Sequence, residues 1–325
     1  MMRDKKSLIV YGVLSAALAA TCLLSLFLGA VHVPVADMLH SNIIQLRVAR
    51  ILLGAIAGAG LSVAGVIFQS LLRNPLAEPY VLGVSSGSGL GATLAILLGL
   101  NVFGVWTLPG MAFAGALGTI LLVYALAETG AGAIPVHTLL LSGAIVNAVL
   151  ASLLMFLVSV APSEDLHSVV WWLLGNLQVF DWQLLRVVAV VVAAGLAVCV
   201  VLARDLNVMT LGEEAAAHLG LHVEQTKKLF FVVASLMTGA TVAACGLIGF
   251  VGLIVPHTVR LVIGPDHRRL VPASALAGAA FLVLADSFAR IVIAPREIPI
   301  GVITAFLGGP FFLFLLRRKK SFLRS

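Results

Sequence analysis

Arg47-Val-Ala-Arg-Ile-Leu-Leu-Gly-Ala-Ile-Ala-Gly-Ala-Gly-Leu-Ser-Val-Ala-Gly-Val-Ile-Phe-Gln-Ser-Leu-Leu72 is an unbroken apolar run long enough, as a helix, to cross a hydrocarbon layer of about 30 Å. Gly54, Ala57, Gly58, Gly60, Ala64 and Gly65 let other helices approach closely, and in lipid it is packing that drives helix association. A partial copy lies further along. At a constant offset Gly58, Ala59, Gly65, Ile67, Leu72, Pro75, Val81 and Gly83 meet Gly239, Ala240, Gly246, Ile248, Leu253, Pro256, Val262 and Gly264, identity for identity. Such a repeat, interrupted by Gly and Pro at matching places, is the mark of a membrane transporter built from two related halves.

The composition agrees. The 325 residues are 61% hydrophobic and only 10% charged, against about 25% charged in soluble domains, so the chain is a polytopic membrane protein. Its net charge of +6 sits at helix ends and reports topology rather than nucleic-acid binding. Cys22, Cys199 and Cys245 lie inside apolar runs without metal-ligand spacing and read as packing residues.

The predicted fold is all-α, with about ten transmembrane helices. The spans are approximately 8–31, 47–72, 81–100, 106–127, 138–160, 184–203, 228–249, 250–264, 271–294 and 298–316. The first is too long for a cleaved signal core and is read as a retained span. The eighth is short and contains Pro256, which points to a broken helix. An even count puts both termini on one side. Both are basic, with Arg3, Lys5 and Lys6 at one end and Arg317, Arg318, Lys319, Lys320 and Arg324 at the other, so that side is cytoplasmic. Five spans separate the repeat copies, which makes the repeat inverted. Residues 1–325 form one transmembrane domain, with halves at approximately 47–160 and 228–316 and a polar loop at 204–228 between them.

That loop is the longest polar segment. Thr210 and Glu213 have capping-box spacing, which predicts a helix of about two turns beginning there. Gly220 is placed to end it in the left-handed conformation, and a second helix starts near His222. Leu211, Ala215 and Leu219 form a narrow apolar stripe on this short helix, which suits it to a soluble partner.

The small residues of the third span, Gly83, Ser85, Ser86, Gly87, Ser88, Gly89 and Gly91, fit either close packing or a smooth pathway wall. Asp286 and Arg290 have i, i+4 spacing for an intramembrane ion pair. Arg47 and Arg50, with Arg290 and Arg296, stand on the outer side, either as snorkelling cations or as forks for carboxylates on a docking protein. Trp171, Trp172 and Trp182 fit an aromatic belt or a gate at a pore mouth. No nucleophile and base are paired as in an enzyme. A proton-coupled transporter with Asp286, His257 and His137 as a relay is the rival reading; it leaves the polar loop unexplained.

Arg47-Val-Ala-Arg50, Asn74-Pro-Leu-Ala-Glu-Pro79, Leu82-Gly-Val-Ser-Ser-Gly87, Trp172-Leu-Leu-Gly175, Gly249-Phe-Val-Gly-Leu-Ile-Val-Pro-His257, Leu284-Ala-Asp286 and Ile298-Pro-Ile-Gly301 resemble the permease family of bacterial ABC importers for iron-siderophores, haem and cobalamin, the type II importers. Glu214, Ala215, Ala216 and Gly220 also fit the Glu-Ala-Ala-x3-Gly pattern of ABC permeases. The resemblance implies a homodimer in the inner membrane with two cytoplasmic ATPases and a periplasmic or surface-anchored binding protein. It implies no cofactor or metal in this subunit, ATP and Mg2+ belonging to the ATPase. Thr210, Glu213, Glu214, Ala215, Ala216 and Gly220 would then couple to the ATPase, and Arg47, Arg50, Arg290 and Arg296 would dock the binding protein. Val136 and His137 match the inner gate, and Trp171, Trp172 and Asn176 the outer one; related permeases carry small polar residues at the inner gate, which these two are not. The cargo implied is a ferric siderophore or haem, with cobalamin the alternative.

Overall fold

The computed structural model describes residues 2–29, 43–128, 134–178 and 181–322. The end of the first predicted span at 30–31, residues 129–133 of the 128–137 connection and Arg324 lie outside them. Among the described residues there are thirteen α-helices and no strand. They are α1 (Met2–Phe27), α2 (Ile43–Leu71), α3 (Val84–Leu97), α4 (Thr107–Ala127), α5 (Val136–Val160), α6 (Ser163–Leu173) and α7 (Trp182–Val201). Then follow α8 (Ala203–Met209), α9 (Glu213–His218), α10 (Val223–Cys245), α11 (Val251–Ile263), α12 (His267–Ile291) and α13 (Ile300–Phe322). Each of the ten predicted spans contains a helix. Seven helices among the described residues are long and apolar enough to cross a membrane, while Val84–Leu97, Val251–Ile263 and Ile300–Leu313 are shorter apolar helices. The chain is a multi-pass membrane protein.

α2 is the central rod and packs against α7, α10, α11 and α12. The helix pairings repeat. Exchanging α2 with α10, α3 with α11, α4 with α12 and α5 with α13 turns α2–α12 into α10–α4, α3–α4 into α11–α12, α3–α5 into α11–α13 and α2–α11 into α10–α3, and all of these pairs are in contact. The residue register of the repeat holds only in part. α10 ends at Cys245, with Gly246 at a φ of 69°, whereas its counterpart α2 runs on past Gly65 to Leu71. Pro75 therefore sits in a connection and Pro256 inside α11.

α3 is shorter than the predicted span 81–100 because Pro79–Leu82 form a 3-10 turn closed by Gly83 at a φ of 81°. At 1.5 Å per residue α3 and α11 are each about 20 Å long, so irregular backbone must complete both crossings. Such backbone survives in a membrane only where its polar groups find partners inside the protein. The two irregular segments supply each other. The Tyr80 hydroxyl donates to the Ile248 carbonyl at 2.9 Å and accepts from the Ile248 N–H at 2.9 Å. The Glu78 carboxylate accepts from the N–H of Phe250, which stands at a φ of 67°.

The small residues are packing residues. A Cβ on Gly65 would lie 1.9 Å from the Gly252 carbonyl oxygen, and one on Gly115 would lie 2.1 Å from that of Gly87. The backbones of α2 and α11, and of α3 and α4, touch where a side chain would hold them apart.

Candidate functional site

Two polar sites lie at opposite ends of α2. The first surrounds the 204–228 loop. Thr210 does not open a capping box: it follows the last residue of α8, and its hydroxyl donates to the Asn207 carbonyl at 2.7 Å. α9 starts instead after Gly212, at a φ of 109°, with no side-chain cap, and is six residues long. The chain must reverse between α8 and α9, and only a glycine enters that turn without strain. Gly220, at a φ of 84°, ends the unit as expected. The Gly220 N–H donates to the Ala217 carbonyl and the Leu221 N–H to that of Ala216, a complete Schellman motif. Ala216 faces inward, while Glu214, Ala215, Leu211 and Leu219 are exposed, the two leucines at 63% and 65%. Leu211 precedes the turn at Gly212 and Leu219 follows the last residue of α9, so the expected stripe along one helix is not formed; apolar surface is instead left open at both ends of the short unit.

The loop is tethered twice. Asn207 Oδ1 accepts from the His267 N–H and lies 2.8 Å from His267 Nδ1, while Asn207 Nδ2 donates to Asp266 Oδ1 at 2.8 Å. These bonds fasten α8 to the start of α12. Asp266 caps α12 by accepting from the Arg268 N–H. Burial would raise its carboxyl, but the bonds to Asn207 and Arg268 and two nearby arginines hold it below the ordinary value. The second tether is Lys227, 6% exposed. Its ammonium lies 2.6 Å from Glu224 Oε1 and 3.2 Å from Glu213 Oε2, and donates to the Ile134 carbonyl at 2.9 Å. Sequence reasoning missed Lys227. Its i, i+3 spacing to Glu224 was the available signal, but Ile134 is remote in the chain.

Val136 and His137 form the first turn of α5. With Leu72, Arg73, Pro135, Leu211 and the start of α9 they line a crevice of about 840 Å³. Val136 and His137, expected at the inner gate, therefore meet Glu213, Glu214 and Ala215 of the residues expected to couple; Thr210, Ala216 and Gly220 do not line the crevice. Trp171, Trp172 and Asn176 are elsewhere: they line a separate cavity of about 920 Å³ with Gln178, Trp182 and Gly246. Asn176 N–H donates to the Cys245 carbonyl at 2.7 Å, tying this segment to the end of α10.

The second polar site is at the other end of α2. Asp286 and Arg290 are paired as expected, at 3.1 Å. The stronger partner of Asp286 is Arg50, which grips both carboxylate oxygens at 2.8 to 3.0 Å. Arg50 also donates to Glu297 Oε2 at 2.8 Å, and Gln178 Nε2 donates to the same oxygen at 2.6 Å. Burial would raise the Glu297 carboxyl, but Arg50 and Gln178 hold it below the usual range. Arg47 is buried and donates to the carbonyls of Leu26 at 2.7 Å and Phe27 at 3.4 Å. Arg290 is 2% exposed and donates to the Leu28 carbonyl at 2.9 Å and to the Ser25 hydroxyl. The picture of four outward forks is therefore corrected. Arg47 and Arg290 point inward and Arg50 is mostly enclosed, because guanidiniums this deep must be paired. Of the four, only Arg296 is exposed. Among the described residues no cluster of His, Cys, Asp and Glu could hold a metal ion.

Comparison with known proteins yields a match to the FecCD transport family model over residues 17–318. The chain is 48% identical to the cobalamin import system permease protein BtuC of Halobacterium salinarum over 276 residues, 85% of this chain and 73% of that one. It is 38% identical to the Fe(3+) dicitrate transport system permease protein FecD of Escherichia coli over 325 residues, 97% of this chain and all of that one. Among solved structures it resembles an inward-facing conformation of a metal-chelate type ABC transporter, with a TM-score of 0.85 and 32% identity, covering 96% of this chain and 99% of the other.

Proposed function

Because the chain belongs to the FecCD transport family, we propose that it is the transmembrane permease subunit of an ATP-driven importer for a bulky metal chelate. The observation that carries this reading is the crevice in which an exposed, rigidly capped α9 meets the start of α5. A partner that grips the exposed Leu211, Ala215 and Leu219 around α9 holds a handle beside the α5 entrance. We assign that partner as one of two ATPase subunits, which supply ATP and Mg2+. The crevice end is then cytoplasmic, with both termini on that side of the inner membrane, as the basic ends require.

The opposite end receives cargo from a periplasmic or surface-anchored binding protein. Arg296 and the exposed edge of Arg50 are the forks it meets first; Arg47 and Arg290 stand behind them as the buried frame. A second copy of the chain completes the pathway. α5 supports this assignment, since Leu141, Ile145, Val149 and Leu153 form an exposed i, i+4 stripe along it. The cargo is a ferric siderophore or haem; cobalamin is the alternative, kept open by the 48% identity to the cobalamin permease BtuC beside the 38% to the ferric dicitrate permease FecD. The proton-relay reading loses its acid, because Asp286 is held by two guanidiniums.

The test is reconstitution in proteoliposomes with the cognate ATPase and binding protein, each candidate chelate being offered in turn. Uptake should require ATP and persist when a protonophore collapses the proton gradient. Collapse of uptake while ATP is maintained would overturn the reading in favour of a secondary transporter. In the same assay Glu214→Ala with Gly220→Ala should leave the fold intact and uncouple hydrolysis from uptake; full coupling in that double variant would remove the loop from the mechanism.

A further inference from the structure

We propose that Lys227 is the positioning residue that makes α9 and the first turn of α5 move as one body, so that displacement of the coupling helix is delivered to the pathway entrance. This rests on the permease reading above. Three oxygens from three chain segments converge on one buried ammonium: Glu213 Oε2 from the first residue of α9, Glu224 Oε1 from the first turn of α10, and the Ile134 carbonyl. Glu224 uses its other oxygen to accept the Ile134 N–H at 3.2 Å. Both backbone polar groups of Ile134 are therefore held by α10 side chains.

The position of Ile134 gives this its consequence. It precedes Pro135, the N-cap residue of α5, which brings no N–H and no side-chain cap. The start of α5 thus has no capping anchor of its own and takes its place from the clamp on Ile134. Val136 and His137, which line the crevice, come next in the chain. A buried ammonium cannot drop its carboxylates without a large desolvation cost. When α9 shifts, carrying Glu213, the clamp must either carry Ile134 along or break.

The experiment compares Lys227→Met, Glu213→Gln, their double variant and Lys227→Arg in the full complex with ATPase and binding protein. Each of the first two should keep hydrolysing ATP while transport per ATP falls about tenfold, a typical coupling effect. The double variant should fall no further, since both act through one contact. Lys227→Arg, which can still bridge the carboxylates, should restore most of the coupling. A second readout is independent of transport. Spin labels at Thr138→Cys and Ala217→Cys, in a Cys22→Ser background that leaves only the buried Cys199 and Cys245, report the distance from α5 to α9. That distance should stay fixed on nucleotide binding in the otherwise unaltered chain and change in Lys227→Met.

Wild-type transport per ATP in Lys227→Met and Glu213→Gln, or a label distance that ignores nucleotide in both, would overturn the proposal. Should Lys227→Met fail to fold, Glu213→Gln carries the test, because Glu213 is 37% exposed. Absence of ATP-driven transport in the unaltered complex would instead overturn the permease reading, and the label distances would still report on the clamp.

Discussion

Replacing Asp286 tests the polar centre at the α12–α13 end. Two cations and two anions are balanced there: Arg50 and Arg290 against Asp286 and Glu297. Asp286 and Arg290 side chains are each 3% exposed and Arg50 13%. Asp286→Ala leaves one positive charge in excess in a nearly dry site. Removing one member of a buried pair costs about 3–5 kcal/mol. Arg50 keeps Glu297 at 2.8 Å and Arg290 keeps the Leu28 carbonyl at 2.9 Å, so the lower end, about 3 kcal/mol, is expected. Asp286→Asn retains shape and one acceptor and should cost about 2 kcal/mol, the worth of the charged hydrogen bonds alone. Asp286→Leu with Arg290→Met removes a matched pair and should cost at least about 1 kcal/mol less than the sum of the single changes. Equilibrium unfolding of the purified chain in detergent micelles with increasing dodecyl sulfate measures these variants and the two single changes Asp286→Leu and Arg290→Met, with Arg186→Ala, an exposed cation, as the control. The reasoning fails if Asp286→Ala unfolds with the control, or if the double change is additive.

Two further outcomes follow from the fold. Gly65→Ala forces a methyl against the Gly252 carbonyl at 1.9 Å, where neither backbone can yield, and should cost about 3 kcal/mol in the same unfolding assay. Gly118→Ala in α4, where a Cβ meets nothing within 4 Å, should stabilise by about 0.5–1 kcal/mol through helix propensity alone.

The helices were legible because apolar length is a local signal: every predicted span holds one. What was not legible depended on partners far along the chain. The predicted span 81–100 overshoots its helix because nothing nearby says that residues 74–83 can stay irregular inside a membrane; the permission comes from Ile248 and Phe250. The Thr210–Glu213 box is a sound local pattern that lost to tertiary demands, since Glu213 is drawn to Lys227 and the turn at Gly212 sets where α9 begins. The i, i+4 rule found Asp286–Arg290 but was blind to Arg50, 236 residues away from Asp286. The same blindness turned Arg47 and Arg290 into surface forks, because a sequence shows where a cation sits on its helix and not which carbonyls wait around it.

The two polar sites are not independent, because one helix belongs to both. α12 begins at His267, held by Asn207 of the coupling loop and by Ser70 of α2, whose hydroxyl lies 2.5 Å from the imidazole. It ends at Ile291, one residue after Arg290 and about one turn after Asp286, whose carboxylate pairs with Arg50 of that same α2. Its 25 residues make a rod of about 37 Å, bonded to α2 at both tips and packed against it between them, with Gly58 and Gly278 in backbone contact. A pair pinned in this way cannot shear without breaking a buried charge pair at one end or a buried imidazole bond at the other. α2 and α12 are therefore expected to travel together, and relative motion falls to elements less firmly pinned. α5 is the foremost of these: it is largely exposed along its length, and among the described residues its polar ties to other helices are the clamp on Ile134 at its start and Asn147 Oδ1, which accepts from the Ser86 hydroxyl of α3. Under the proposed function the moving wall of the pathway is α5, and the frame against which it moves is the α2–α12 pair.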